Sequence, residues 1–179
     1  TGSDLRDQIL RVARVAAAEK DRGFVAMFSD RVDIVSPDWA WEATGLLEFY
    51  GDAVGVGGKI QDKEGETLYG AGYFDFNGEL GSPEIGLQFN AHGYFSNNLL
   101  QKTVDGVSPL HWTADAKFLC DVMDREKRAV APDELAFIFA LAVLDAGKRI
   151  ICTPFIRAVV NGNDRYIRLL PLLGEKAID

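Results

Sequence analysis

The 179-residue chain has the apolar fraction, 47%, and the charged fraction, 26%, of a globular protein, enough for one domain with a real core. A net charge of −8 and a pI near 4.8, with no Lys/Arg block or basic helix face, argue against nucleic acid and anionic membrane as partners. No apolar run is long enough to span a bilayer and no signal peptide is visible. Cys120 and Cys152 lack ligand spacing, so the expectation is a cytoplasmic protein with reduced cysteines and no transmembrane segment.

Asp4 to Lys20 reads as an amphipathic helix with Leu5, Ile9, Val12 and Ala16 facing inward at four-three-four spacing. Phe24 to Phe28 (FVAMF) reads as a short buried strand that ends in a polar tip, Ser29 to Asp33. Ser36-Pro37-Asp38 then has the chemistry of a helix start, with Ser36 as N-cap, Pro37 in the first turn and Asp38 favoured by the dipole. The helix runs from Pro37 to Tyr50, with Trp39, Ala43, Leu46, Leu47 and Tyr50 inward. Strand, acidic tip and helix start form a common layout of α/β sites, where ligands sit beyond the carboxyl ends of strands.

Ala53 to Ile60 (AVGVGGKI) is a strand thinned by glycines, which indicate close backbone approach or a bulge. It pairs as a hairpin with Thr67 to Phe76 through the turn Asp62 to Gly65. After a second turn at Asn77-Gly78, Gly81 to Ser96 reads as a long ordered loop, and loops of that length in compact domains are usually functional. Val104 to Trp112 reads as a buried strand interrupted by Pro109, therefore irregular or at an edge, and Asp115 to Met123 as a short helix. Asp133 to Ala146 is a helix apolar on nearly every side, closed by Gly147 with Lys148 and Arg149 at the negative end of its dipole. Ile150 to Cys152 and Phe155 to Val160 read as two short strands around Thr153-Pro154, and Tyr166 to Leu173 as an apolar tail. The pattern predicts an α/β fold, a mixed sheet flanked by helices.

Taken in order, FSDRVDIVSPDW, VGVGGKIQDKEGETLYGAGYFDFNG, GYFSNNLLQKTVDGVSPLHWTADAKFL and PDELAFIFALAVLDAGKRIICTP resemble the C-terminal, acceptor-side half of family 2 glycosyltransferases of the GT-A fold. The resemblance covers roughly residues 10 to 160. It implies a partial GT-A fold and, for the parent enzyme, transfer of a sugar from a nucleotide-sugar to a carbohydrate acceptor with inversion. A carboxylate takes the acceptor proton, and a divalent cation, Mg or Mn, neutralises the departing diphosphate. By position, Asp30 and Arg31 fall at the nucleotide-sugar site, with Asp30 as the metal ligand. Asp133 and Glu134 fall near the catalytic carboxylate, and His111 and Trp112 on the strand facing the acceptor pocket.

The chain departs from that pattern. The nucleotide-binding half does not precede its first helix, so the chain by itself is expected to be inactive. Arg31 stands where the second carboxylate of the acidic motif is usual. Counting back from Gly147, Leu135 and Ala136 stand where the catalytic helix carries its acidic pair, and Ala142 replaces a basic residue. Each candidate also has a plainer reading. Asp30 is also a turn aspartate and Arg31 a surface arginine, Asp133 and Glu134 are ordinary first-turn acids, and Trp112 is a core residue. The alternative function is a non-catalytic glycan-binding or protein-interaction domain derived from such an enzyme. An unpartnered edge at Phe24 to Phe28, uncharged throughout, predicts a homodimer.

Overall fold

The computed structural model describes residues 4–19, 22–75, 80–128 and 130–161, without the side chains of Pro132 and Asp133. The tail 166–173 and the turn at Asn77-Gly78 lie outside the described residues. The fold is α/β, a mixed sheet flanked by helices. Along the chain run helix α1 (Leu5–Ala17), strands β1 (Phe24–Phe28) and β2 (Val32–Ile34), helix α2 (Trp39–Phe49) and strand β3 (Ala53–Gln61). Strands β4 (Thr67–Tyr69), β5 (Tyr73–Phe74) and β6 (Leu80–Gly81), a 3-10 segment (Tyr94–Leu99), and strands β7 (Lys102–Val104) and β8 (His111–Asp115) follow. Helices α3 (Ala116–Arg125) and α4 (Pro132–Asp145) and strand β9 (Arg149–Val160) complete it.

The sheet has the order β1-β8-β3-β9-β2. Among the described strands only β3 and β9 run parallel, and β4 and β7 are short antiparallel additions to β3 and β9. Side chains alternate across it, so each face has its own core. Helices α1, α3 and α4 cover one face around Trp112, Leu119, Phe139 and Ile150, while α2 covers the other with Ala43, Leu46 and Leu47 on Val56, Ile151 and Ile156. The glycines of β3 serve the close approach that the sequence predicts. A Cβ on Gly58 would stand 2.4 Å from the Ile156 carbonyl oxygen of β9, closer than a Cβ can sit.

Several expectations are corrected. The buried residues of α1 are Leu10 and Ala13, whereas Val12 is 56% exposed. The stripe is rotated because Arg6 lies on the inner side, where its guanidinium donates to the Met123 and Glu126 carbonyls at the end of α3. Helix α2 starts at Trp39 with Asp38 at the N-cap. Ser36 does not cap it, because its hydroxyl accepts from the Arg157 N–H of β9 at 2.9 Å. The polar tip contains a strand, β2, because Val32 and Ile34 pair with the end of β9. Val104 to Trp112 is not one strand. It contributes the end of β7 and the start of β8, which occupy different places in the sheet. The two strands expected around Pro154 form one continuous β9. Pro154 falls where β9 slips register against β3, between the Gly57–Cys152 and Lys59–Arg157 pairs, so its missing N–H breaks no ladder bond.

β1 is a strand as predicted, but only Val25 is fully buried and Phe28 is 60% exposed. It stands at the edge of the sheet. Among the described residues it pairs with β8 alone, and its outer side meets no strand.

Candidate functional site

A groove of about 500 Å³ wraps the edge of β1. Ala26, Met27 and Phe28 form its strand side, Leu5 and Ile9 of α1 one bank, and Leu135 of α4 the other. Trp112 and Pro109 form part of its lining, with Ser29 and Asp30 at the carboxyl end of β1. The local sequence explains the shape. An edge strand with alternating apolar residues offers one row to the core and leaves the other at the rim, and the polar turn Ser29-Asp30-Arg31 ends it. There the Ser29 hydroxyl donates to the Asp30 carboxylate at 3.3 Å and accepts from the Arg31 N–H at 3.2 Å.

Asp30 is the one carboxylate among the described lining residues, and it is exposed. Arg31, also exposed, does not line the groove, and its carbonyl accepts from the Asn161 N–H at 2.7 Å. A divalent cation of the magnesium or calcium type takes six or more oxygen ligands. One carboxylate beside a serine is a poor donor set for it, and no cluster of three or more His, Cys, Asp or Glu occurs among the described residues.

The other candidates are not brought together. Trp112 is 1% exposed, its ring 4.6 Å from that of Phe139, so it contributes to the groove from within the core. His111 lies on the opposite face of the sheet, its ring 5.4 Å from that of Trp39 on α2. It is fully buried, neither ring nitrogen has a hydrogen-bond partner among the described residues, and burial depresses its pKa to about 4. The Glu134 carboxylate reaches back to accept from the Ala131 N–H at 3.0 Å, which caps its own helix. Asp133 belongs to the first turn of α4 by its backbone, and its side chain is outside the described residues. Leu135, not an acid, is the α4 residue that reaches the groove with Asp30.

Two cationic groups, Lys59 and Arg157, are not among the residues singled out from the sequence. Lys59, in the middle of the glycine-rich β3, is buried and donates to the carbonyl and side-chain oxygens of Asn98. Burial lowers its pKa. With the buried Lys102–Glu84 ion pair it ties the 81–99 loop to the sheet. A lysine inside a strand of apolar and glycine residues is the feature that marks it in the sequence. Arg157 of β9 lies over the ring of Phe89, 4.0 Å from the centroid. Its periodicity in β9 resembles an ordinary strand residue, so pattern alone does not separate it. Burial raises the pKa of both thiols, pushing Cys152 up to about 12, and a nearby Asp124 raises Cys120 further.

Among the described residues no helix is long and apolar enough to cross a membrane. The chain matches no known protein-family model, and no curated protein is similar to it.

Proposed function

We propose that the chain is a domain of the glycosyltransferase kind, the acceptor-side half of a GT-A fold, whose own groove binds carbohydrate without transferring it. The parent reaction on this reading is sugar transfer from a nucleotide-sugar to a carbohydrate acceptor. One observation carries it: Asp30, Trp112 and Leu135 line one groove beside β1, the edge strand among the described residues. Those are the positions at which the resemblance puts the donor contact, the acceptor strand and the catalytic carboxylate. At the last of them leucine has no proton acceptor to offer a hydroxyl.

The test is binding of an oligosaccharide panel by calorimetry, alongside a transfer assay with nucleotide-sugars. Asp30→Trp sets an indole at the mouth of the groove from an exposed turn residue and leaves the core alone. The expected result is oligosaccharide binding without transfer, abolished in D30W at an unchanged melting temperature. No binding by any oligosaccharide, or equal binding by D30W, overturns the reading.

A second reading is association of two copies through the β1 edge. It is favoured by the exposed, uncharged Ala26 and Phe28 on a strand whose outer side meets no strand among the described residues. Light scattering decides it: a monomer at ~100 μM, above common micromolar dimer affinities, rules the homodimer out.

A further inference from the structure

A second pocket, of about 450 Å³, lies away from the groove, between β9, the segment joining β2 to α2, and the 81–99 loop. Its walls are apolar: Val35, Pro37, Leu99, Pro154 and the exposed Phe155. Among the described residues one charged group lines it, Arg157.

Arg157 is held in place from three directions. Its N–H is accepted by the Ser36 hydroxyl at 2.9 Å, and its carbonyl accepts from the Val35 N–H at 2.9 Å. Its guanidinium stacks on Phe89. Among the described residues no carboxylate pairs with that guanidinium, and its enclosed Nε has no acceptor. The acid of α2 that reaches β9, Glu42, is engaged elsewhere, accepting from Thr153 at 2.7 Å and Gln101 at 2.8 Å. Lys59 stands 5.2 Å from the centroid of the same Phe89 ring, so two cations flank one aromatic in a protein of net charge −8. A fixed, unpaired guanidinium in a partly closed apolar pocket is complementary to an anion, because a carboxylate accepts two parallel N–H bonds from that fork.

The walls decide which anion. A phosphate dianion needs several donors to replace its water, and the Ser36 hydroxyl is already engaged with the Arg157 backbone. A single guanidinium matches a single negative charge, and the apolar walls match an apolar body. We infer that this pocket binds the carboxylate of an organic acid with an apolar or ring-shaped body, seated between Phe155 and the Arg157–Phe89 stack.

The probe is phenylacetate, titrated into the isotope-labelled wild-type protein and followed by amide chemical shifts. 2-Phenylethanol, which keeps the ring without the charge, and inorganic phosphate are the comparators. The expected result is saturable shifts at Ser36, Phe89 and Phe155 with phenylacetate alone. Arg157→Gln weakens binding by about tenfold or more, the worth of a charge-assisted hydrogen bond, and Arg157→Lys weakens it less. The inference is overturned by the absence of saturable shifts up to about 10 mM, where even millimolar affinities register. It is equally overturned by shifts centred on other residues, by phosphate or phenylethanol binding as well as phenylacetate, or by a folded R157Q that binds unchanged. Mapping on the wild-type protein keeps the test valid if R157Q does not fold.

Discussion

Arg22 and Asp115 form an ion pair at 2.6 Å that joins four elements. The Asp115 carboxylate also accepts from the Phe118 N–H at 2.9 Å and so caps α3. The Arg22 guanidinium also donates to the Leu47 carbonyl at the end of α2 and to the Ala53 carbonyl at the start of β3. Asp115→Ala removes the cap and leaves the arginine short of its counter-charge. The expected loss is about 3 kcal/mol, a cap plus a broken, mostly buried pair. Asp115→Asn keeps the cap and loses less. Urea unfolding of the two variants checks the order, and equal losses would show that the cap contributes nothing.

His111 gives the fold an acid sensitivity. Its pKa is near 4 when folded against 6.5 when free, so between those values the unfolded chain binds the extra proton. The stability from this group is complete above pH 6.5 and falls as the pH drops toward 4, by about 3 kcal/mol in total. His111→Leu should flatten that part of the stability–pH curve. A melting temperature that drops equally in both proteins from pH 7 to 4.5 would contradict the assignment.

Asp30 alone should not hold a divalent cation. Millimolar manganese is expected to leave the melting temperature unchanged, since one carboxylate with water is a weak site. A thermal upshift that Asp30→Ala abolishes would overturn this.

Ala140 is fully enclosed in α4, in the same core cluster as Trp112. Ala140→Asp places an unpaired carboxylate there and should unfold the domain or cost ~4 kcal/mol or more. Unchanged thermal melting would contradict the packing of α4 on the sheet.

The fold class was legible in the sequence where apolar periodicity and glycine placement agree. FVAMF and AVGVGGKI are the edge strand and the central strand, and LAFIFALAVL is the helix that packs on the sheet, although its Leu141 and Leu144 are exposed rather than buried as its all-round apolar pattern predicts. The misreadings have local causes. Arg6 turned the stripe of α1, the hydroxyl of Ser36 went to β9 rather than to the helix, and β2 is three residues long in a polar stretch. Pairing across the sheet is non-local, so nothing near Lys102 or His111 tells that β7 and β8 pair with different strands. Of the candidate residues, Asp30 and Trp112 line one groove. His111 was not separable from Trp112 without knowing which face each side chain takes. Arg157 and Phe89, 68 residues apart in sequence, meet only through the fold.

The central claim is that the groove beside β1 is a carbohydrate-binding site. Amide shift mapping during titration with an oligosaccharide that binds tests it most directly. The account predicts saturable shifts at Ala26, Met27, Asp30 and Leu135, with Ser36, Phe89 and Phe155 unmoved. Shifts centred on the Arg157 pocket or on the exposed face of α2, with the β1 residues silent, would contradict it.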